Sequence, residues 1–154
     1  MRPATTFVAE AIAAALIIAA AAAANHAGAA EFRQTLEAAT VSYEGPSTRA
    51  TKQFIYSRGT PVEVVVQIEG WSKVRDALGA LTWVERRALG ERTQVQVTAA
   101  TDVVANADGT GNVLYRAEPG LLLTLVAPPT GRFVQVRHRD GVTGFIRADV
   151  VFGL

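Results

Sequence analysis

The sequence predicts an all-β fold: two tandem small barrels of five strands each, preceded by an N-terminal signal helix. Three observations carry the prediction. First, one pattern occurs twice. From Trp71, a valine, an arginine, a glycine and a second aromatic follow at offsets 3, 4, 8 and 12 (Val74, Arg75, Gly79, Trp83), and the same offsets from Phe133 reach Val136, Arg137, Gly141 and Phe145. Self-similarity with a period of about 60 residues marks two copies of one supersecondary unit. Second, apolar and polar residues alternate in short runs broken by glycine, which is the pattern of half-buried strands. Third, the first thirty residues are so rich in alanine that they stand apart from everything after them.

That N-terminal stretch reads as an address. Arg2 supplies a short positive start, Ala11 to Ala24 is an uncharged apolar run of 14 residues, and Ala27-Gly28-Ala29 offers a small-residue cleavage site. These are the three parts of a secretory signal peptide. Residues 1–29 are therefore expected to be cleaved between Ala29 and Ala30, leaving the protein periplasmic or secreted. The alternative is an uncleaved inner-membrane anchor, although a run of 14 falls short of the ~20 residues a spanning helix needs.

Composition narrows the function classes. Lys+Arg 15 against Asp+Glu 14 gives a net charge of +1, and no basic cluster suggests nucleic acid as a partner. Cysteine is absent, which removes thiol nucleophiles, disulfides, thiolate metal sites and a lipid-modified cysteine. Neither a cofactor nor a metal is expected.

Along the chain, residues 30–39 are expected to be a leader, with Phe32 and Leu36 spaced for a short helix face. Residues 40–90 form the first expected barrel. Its strongest strand signal is Val62 to Ile68, where Val62, Val64, Val66 and Ile68 share one face. Gly70 then turns the chain into Trp71–Arg75, and Gly79 turns it into Leu81–Glu85. Residues 91–154 form the second. There Asp140-Gly141 signals a tight hairpin between Phe133–Arg139 and Val142–Arg147. The connection Gly90 to Thr93 is too short for a free linker, so the barrels should be fixed against each other.

Gly45-Pro46-Ser47, Arg58 to Val64, Gly70 to Arg75 and Trp83 to Leu89 together resemble the bacterial SH3-like domain family, and Glu118-Pro119-Gly120 with Phe133 to Ile146 resembles a second, more divergent copy. The departures are Tyr43-Glu44 where an arginine is usual before the turn, Thr82 where a glycine is usual, and Phe133 and Phe145 where tryptophan is commoner. The resemblance implies a five-stranded barrel serving as a binding or targeting module in the cell envelope, sometimes beside cell-wall hydrolases.

Catalytic constellations are sparse. After the signal segment His138 is the one histidine, flanked by Arg137 and Arg139, and reads as a solvated strand residue. None of the four serines (Ser42, Ser47, Ser57, Ser72) sits in a nucleophile elbow. The loop around Asp102, Asn106 and Asp108 lacks the terminal glutamate of a calcium loop and reads as turn chemistry. No catalytic residue is assigned. Binding chemistry is easier to see: strand alternation puts Trp71, Lys73 and Arg75 on the face opposite Val74, and Phe133 and Arg137 on the face opposite Val134 and Val136. An aromatic beside cations suits a sugar face or an extended peptide, although the same aromatics would also serve to cover a barrel edge or the seam between barrels. The expected function is an exported, non-enzymatic binding or scaffold protein whose partner is cell-wall peptidoglycan or an envelope protein. The alternative is a membrane-tethered accessory subunit that docks a partner protein, with the membrane touched only through an uncleaved N-terminal segment.

Overall fold

The computed structural model describes residues 30–154, so the expected signal segment, residues 1–29, lies outside the described residues. Strands β1 (Glu31–Thr35), β2 (Ala39–Tyr43), β3 (Lys52–Ser57), β4 (Pro61–Ile68), β5 (Trp71–Arg75), β6 (Leu81–Glu85) and β7 (Leu89–Glu91) form one antiparallel sheet, ordered β3-β2-β6-β5-β4-β1-β7. A second sheet holds β8 (Gln94–Val97), β9 (Thr101–Val104), β10 (Val113–Ala117), β11 (Leu122–Leu125), β12 (Phe133–Arg137), β13 (Thr143–Arg147) and β14 (Val151–Phe152), ordered β10-β9-β13-β12-β11-β8-β14. Adding seven to each strand number of the first order yields the second. A three-residue 3-10 turn, Arg86–Ala88 or Ala148–Val150, precedes the last strand of each sheet.

Each sheet curls around its own core. In the first, Tyr56 on the edge strand β3 and Leu89 on the opposite edge strand β7 pack into the same cluster as Val62, Val74 and Val84 from between them. A flat sheet could not bring its two edges to one set of central residues. The second sheet does the same with Ala117 on β10 and Val151 on β14, around Val95, Val97, Val103, Leu123, Val134, Val136 and Ile146. Seven strands stand where five were expected: the expected leader supplies β1, and the short strands β7 and β14 follow the 3-10 turns.

Two local expectations are corrected. Residues 31–35 of the expected leader form strand β1, inside the first sheet, hydrogen-bonded to β4 on one side and β7 on the other. The Phe32–Leu36 spacing is not a helix face: the Phe32 ring meets Phe152 edge-on at 5.2 Å, while Leu36 is exposed. Thr35 is wholly buried, its hydroxyl donating to the Ser57 carbonyl at 2.5 Å and accepting from the Thr60 amide at 3.1 Å. In β4, a bulge between Val64 and Val66 breaks the period-2 alternation, so Val66 and Ile68 are 43% and 41% exposed whereas Val62 is fully buried.

The two units meet at a seam with only Arg92 and Thr93 between β7 and β8. The Gln34 side-chain oxygen accepts from the Thr93 amide (2.9 Å), the Thr93 hydroxyl (3.1 Å) and the Gln94 amide (3.1 Å). Gly59, at φ +81°, lies so close to the Gln94 carboxamide that any side chain there would collide with it.

The first core is topped by a buried polar network. The Tyr56 hydroxyl donates to Asp76 Oδ2 at 3.1 Å and lies 3.3 Å from Thr82 Oγ1, while Asp76 Oδ1 accepts from the Leu78 and Ala80 amides, both at 2.9 Å. Burial pushes the Tyr56 phenol above its ordinary value, and the neighbouring Asp76 charge adds to the rise. A phenol raised on folding contributes stability that is complete below the unfolded pKa of about 10 and is lost as pH rises through the folded value. Tyr56→Phe is expected to cost about 1–3 kcal/mol at neutral pH by stranding the Asp76 oxygen. It should also make the alkaline loss of stability shallower, with Tyr115, likewise raised by burial, supplying what slope remains. Urea denaturation of both proteins between about pH 8 and pH 11 measures this, and an unchanged alkaline slope would contradict it.

Candidate functional site

Strand β5 is positioned by its inward residues. Ser72 and Val74 are buried, and antiparallel pairing with β4 and β6 leaves Trp71, Lys73 and Arg75 half-buried on the other face. Cross-strand partners on that face are Glu85, Trp83 and Leu81 from β6, opposite Trp71, Lys73 and Arg75 in turn. The Trp71 indole stands edge-on to Tyr43 with centroids 5.6 Å apart, and Lys73 Nζ lies 6.0 Å from the Trp83 ring, the outer limit of a cation–π contact. Arg75 is held differently: its guanidinium donates to Glu63 at 2.8 Å, so it is a structural tie between β4 and β5 more than an open cation.

Trp71 opens onto a cleft of about 610 Å3 that it shares with Gly70, Glu85, Arg86 and Arg87. The 3-10 turn carrying the two arginines is fixed by the Arg86 amide donating to the Gly70 carbonyl at 2.9 Å and by the Leu36 amide donating to the Ala88 carbonyl at 2.9 Å. Arg86 also donates from its side chain to the Ile68 carbonyl, and Arg87 pairs with Glu85 at 2.7 Å, a contact that holds its guanidinium above the usual arginine range. The site thus combines an indole wall with two exposed guanidinium groups and one carboxylate. Trp83, Tyr43, Arg86 and Arg87 were not singled out as site residues from sequence. The signal for Trp83 was present as the second aromatic of the repeat; the others are brought in by the β2–β3 hairpin and by the turn after β6.

The second unit has a cleft at the corresponding place, but a changed one. Arg132, Phe133, Arg147, Ala148 and Asp149 line about 180 Å3, each 62 positions after a residue of the first cleft. Where Glu85 pairs with Arg87, Arg147 pairs with Asp149, so the ion pair is retained with its polarity exchanged. Gly109, at φ +83° in the β9–β10 turn, presses against the Phe133 ring. Arg137 is exposed and donates from Nε to Thr143 Oγ1 at 3.4 Å. Trp71, Lys73 and Arg75 on one sheet and Phe133 and Arg137 on the other therefore do not converge into a single site.

His138 is not the solvated residue with only cationic neighbours that its sequence context suggests. Its Nδ1 lies 2.9 Å from an Asp140 oxygen, and its ring centroid is 5.4 Å from that of Tyr115. The Val142 amide and this histidine together hold the Asp140 carboxyl below the usual range. All four serines belong to the first unit, on the far side of the seam from this pair. Among the described residues, no three histidine or carboxylate side chains gather around a metal-sized space.

Residues 37–91 match the bacterial SH3 domain family. Two solved structures from Trichomonas vaginalis are similar to the chain. NlpC1 has 14% identity and a TM-score of 0.39, with 84% of this chain and 48% of that one covered. NlpC2 has 12% identity and a TM-score of 0.38, with 80% and 48% covered. This chain thus spans about half the length of each. No curated protein matches it.

The covering of Phe133 can be measured. Gly109 and Gly120 both have positive φ, but only Gly109 has a neighbour in the space a Cβ would take. Each Gly→Ala change pays about 1–2 kcal/mol for the left-handed backbone, and Gly109→Ala is expected to lose measurably more than Gly120→Ala in chemical denaturation. Equal losses would mean that the turn does not bear on the ring.

Proposed function

Taking residues 37–91 as the bacterial SH3 domain they match, we propose that this protein is an exported, non-enzymatic binding module of the cell envelope, and that its ligand surface is the Trp71 cleft of the first unit. The ligand class that fits is cell-wall glycopeptide or another extended, carboxylate-bearing peptide. The observation that carries this reading is the joining of a half-buried indole, held by Tyr43, to the two guanidinium groups of Arg86 and Arg87 in one open cleft. An indole face packs on a sugar or an apolar residue while guanidinium groups pair with carboxylates, and the two contacts together demand a ligand that has both. The second unit shares the strand order of the first, and we infer that it is a diverged copy whose own cleft, narrowed over Phe133, serves a scaffold role.

No helix among the described residues is long and apolar enough to cross a membrane. The proposed export rests on the signal-peptide pattern of residues 1–29. Intact mass of the soluble protein from an expressing bacterium is expected to give an N-terminus within two residues of Ala30; soluble protein retaining Met1 would refute export with cleavage.

Binding is tested by retention on purified cell-wall sacculi. Trp71→Ala should abolish retention while lowering stability less than Val74→Ala, a fully buried core truncation costing about 1–3 kcal/mol. Arg86→Ala combined with Arg87→Ala should weaken retention and flatten its dependence on salt. A Trp71→Ala protein as unstable as Val74→Ala, or one retained like the wild type, would reassign this face to packing.

A further inference from the structure

A second concave surface lies beside the seam between the units and shares no residue with the Trp71 cleft. It is a groove of about 460 Å3 bordered by Phe54, Ile55, Tyr56 and Ser57 of β3. Successive side chains of a strand point to opposite faces. Four consecutive residues can border one groove only if it runs along the edge of the strand. β3 is such an edge, since among the described residues it pairs with β2 alone. The Phe54 amide donates to Ser42 Oγ at 3.1 Å and its carbonyl accepts from the same hydroxyl at 3.4 Å, so Phe54 faces β2. β3 bulges opposite Ser42, which keeps the Gln53 amide toward β2, while the planar peptides on either side of Phe54 turn the Gln53 carbonyl and the Ile55 amide outward, into the groove.

The rest of the groove is built from both units, with Thr60, Asp76 and Gln96 set among Ala77, Leu78, Ala80, Gly120 and Leu122. Leu78, in the β5–β6 turn, is 93% exposed and Ile55 is 72% exposed, while Gln96 and Leu122 of the second unit stand opposite. The groove is continuous with the seam: Gly59, between the groove residues Ser57 and Thr60, packs on Gln94, two positions from Gln96. Folded proteins protect an apolar edge strand with charge, proline or a covering element. None of these lies along the middle of β3, and the second unit stands across from the edge instead of covering it.

We propose that this groove is a second binding site, which takes one extended polypeptide strand onto the free edge of β3. Main-chain hydrogen bonds to the Gln53 carbonyl and the Ile55 amide would supply affinity, and apolar side chains at alternate positions of the peptide would seat against Ile55, Leu78 and Leu122. A single strand is favoured over the edge of a second copy because the second unit walls the far side. The remaining space has the size of a ligand pocket, not of a docked sheet.

The probe is the soluble peptide acetyl-Lys-Thr-Val-Thr-Val-Thr-Lys-amide, titrated into the purified chain with amide hydrogen exchange and sedimentation as readouts. The peptide is expected to bind, to slow exchange at the Ile55 amide, and to leave the protein's own association state unchanged. Methylating alternate peptide nitrogens in one of the two registers should weaken binding about tenfold or more. Leu78→Glu and Ile55→Glu, both at exposed positions, should do the same without changing the unfolding midpoint. The proposal is overturned if the Ile55 amide shows no added protection, or if methylation in either register and both variants leave binding intact. It is equally overturned if that amide is already protected without peptide in a concentration-dependent dimer, which would make a second copy the occupant.

Discussion

A barrel of some sixty residues has room for few fully buried side chains, and the arrangement of this molecule answers that shortage. The first core is four residues, Tyr56, Val62, Val74 and Val84, with Val64 and Leu89 packed beside them. Everything near it is recruited to finish the burial. Residues 31–35 become a strand instead of a leader, Thr35 buries its hydroxyl in the turn after β3, and Tyr56 is accepted into the core only because Asp76 and Thr82 satisfy its oxygen. The seam continues the same logic. One carboxamide oxygen, that of Gln34, takes three donors from the start of the second unit, and the Phe32 ring closes on Phe152 at its end.

The inward and outward choice at Trp71, Lys73, Val74 and Arg75, and at Phe133, Val134, Val136 and Arg137, was legible because strand alternation leaves no third option. What failed to show were features that depend on partners distant in sequence. β1 is helical by local spacing and extended by its two neighbours. Val66 and Ile68 follow the period of the strand until a bulge opposite Lys73 shifts it. The cleft beside Trp71 was half visible: the indole sits on a patterned strand, whereas Arg86 and Arg87 sit in a three-residue turn with no period to betray them. The pairing of His138 with Asp140 was hidden for a related reason, because the tight turn between β12 and β13 brings back a residue that the flanking arginines mask in a linear reading.

The two clefts illustrate what a repeated backbone keeps and what it releases. Position by position their linings correspond, and each holds an ion pair one turn after the outward aromatic's neighbouring strand. Yet Arg147 and Asp149 stand where the first cleft has Glu85 and Arg87, Arg132 stands where it has Gly70, and the turn bearing Gly109 lies on the Phe133 ring. Exchanging the order of a surface ion pair costs the fold little, since an exposed pair contributes at most about 1 kcal/mol. It nevertheless exchanges the positions of the two paired charges that an approaching ligand meets. Divergence is therefore cheapest at these positions, while Val74 and Val136 cannot follow.

The rigid seam has a consequence for ligands that are polymers. Two binding modules on a slack tether engage any pair of sites within reach, and their joint strength depends on effective concentration alone. Here Arg92 and Thr93 leave no slack, and the Gln34 contacts clamp what remains. The separation and mutual orientation of the surfaces on the two units are thus constants of the molecule. A repeating chain that touched both would be selected by the length of its repeat, and the fold itself would then act as a ruler.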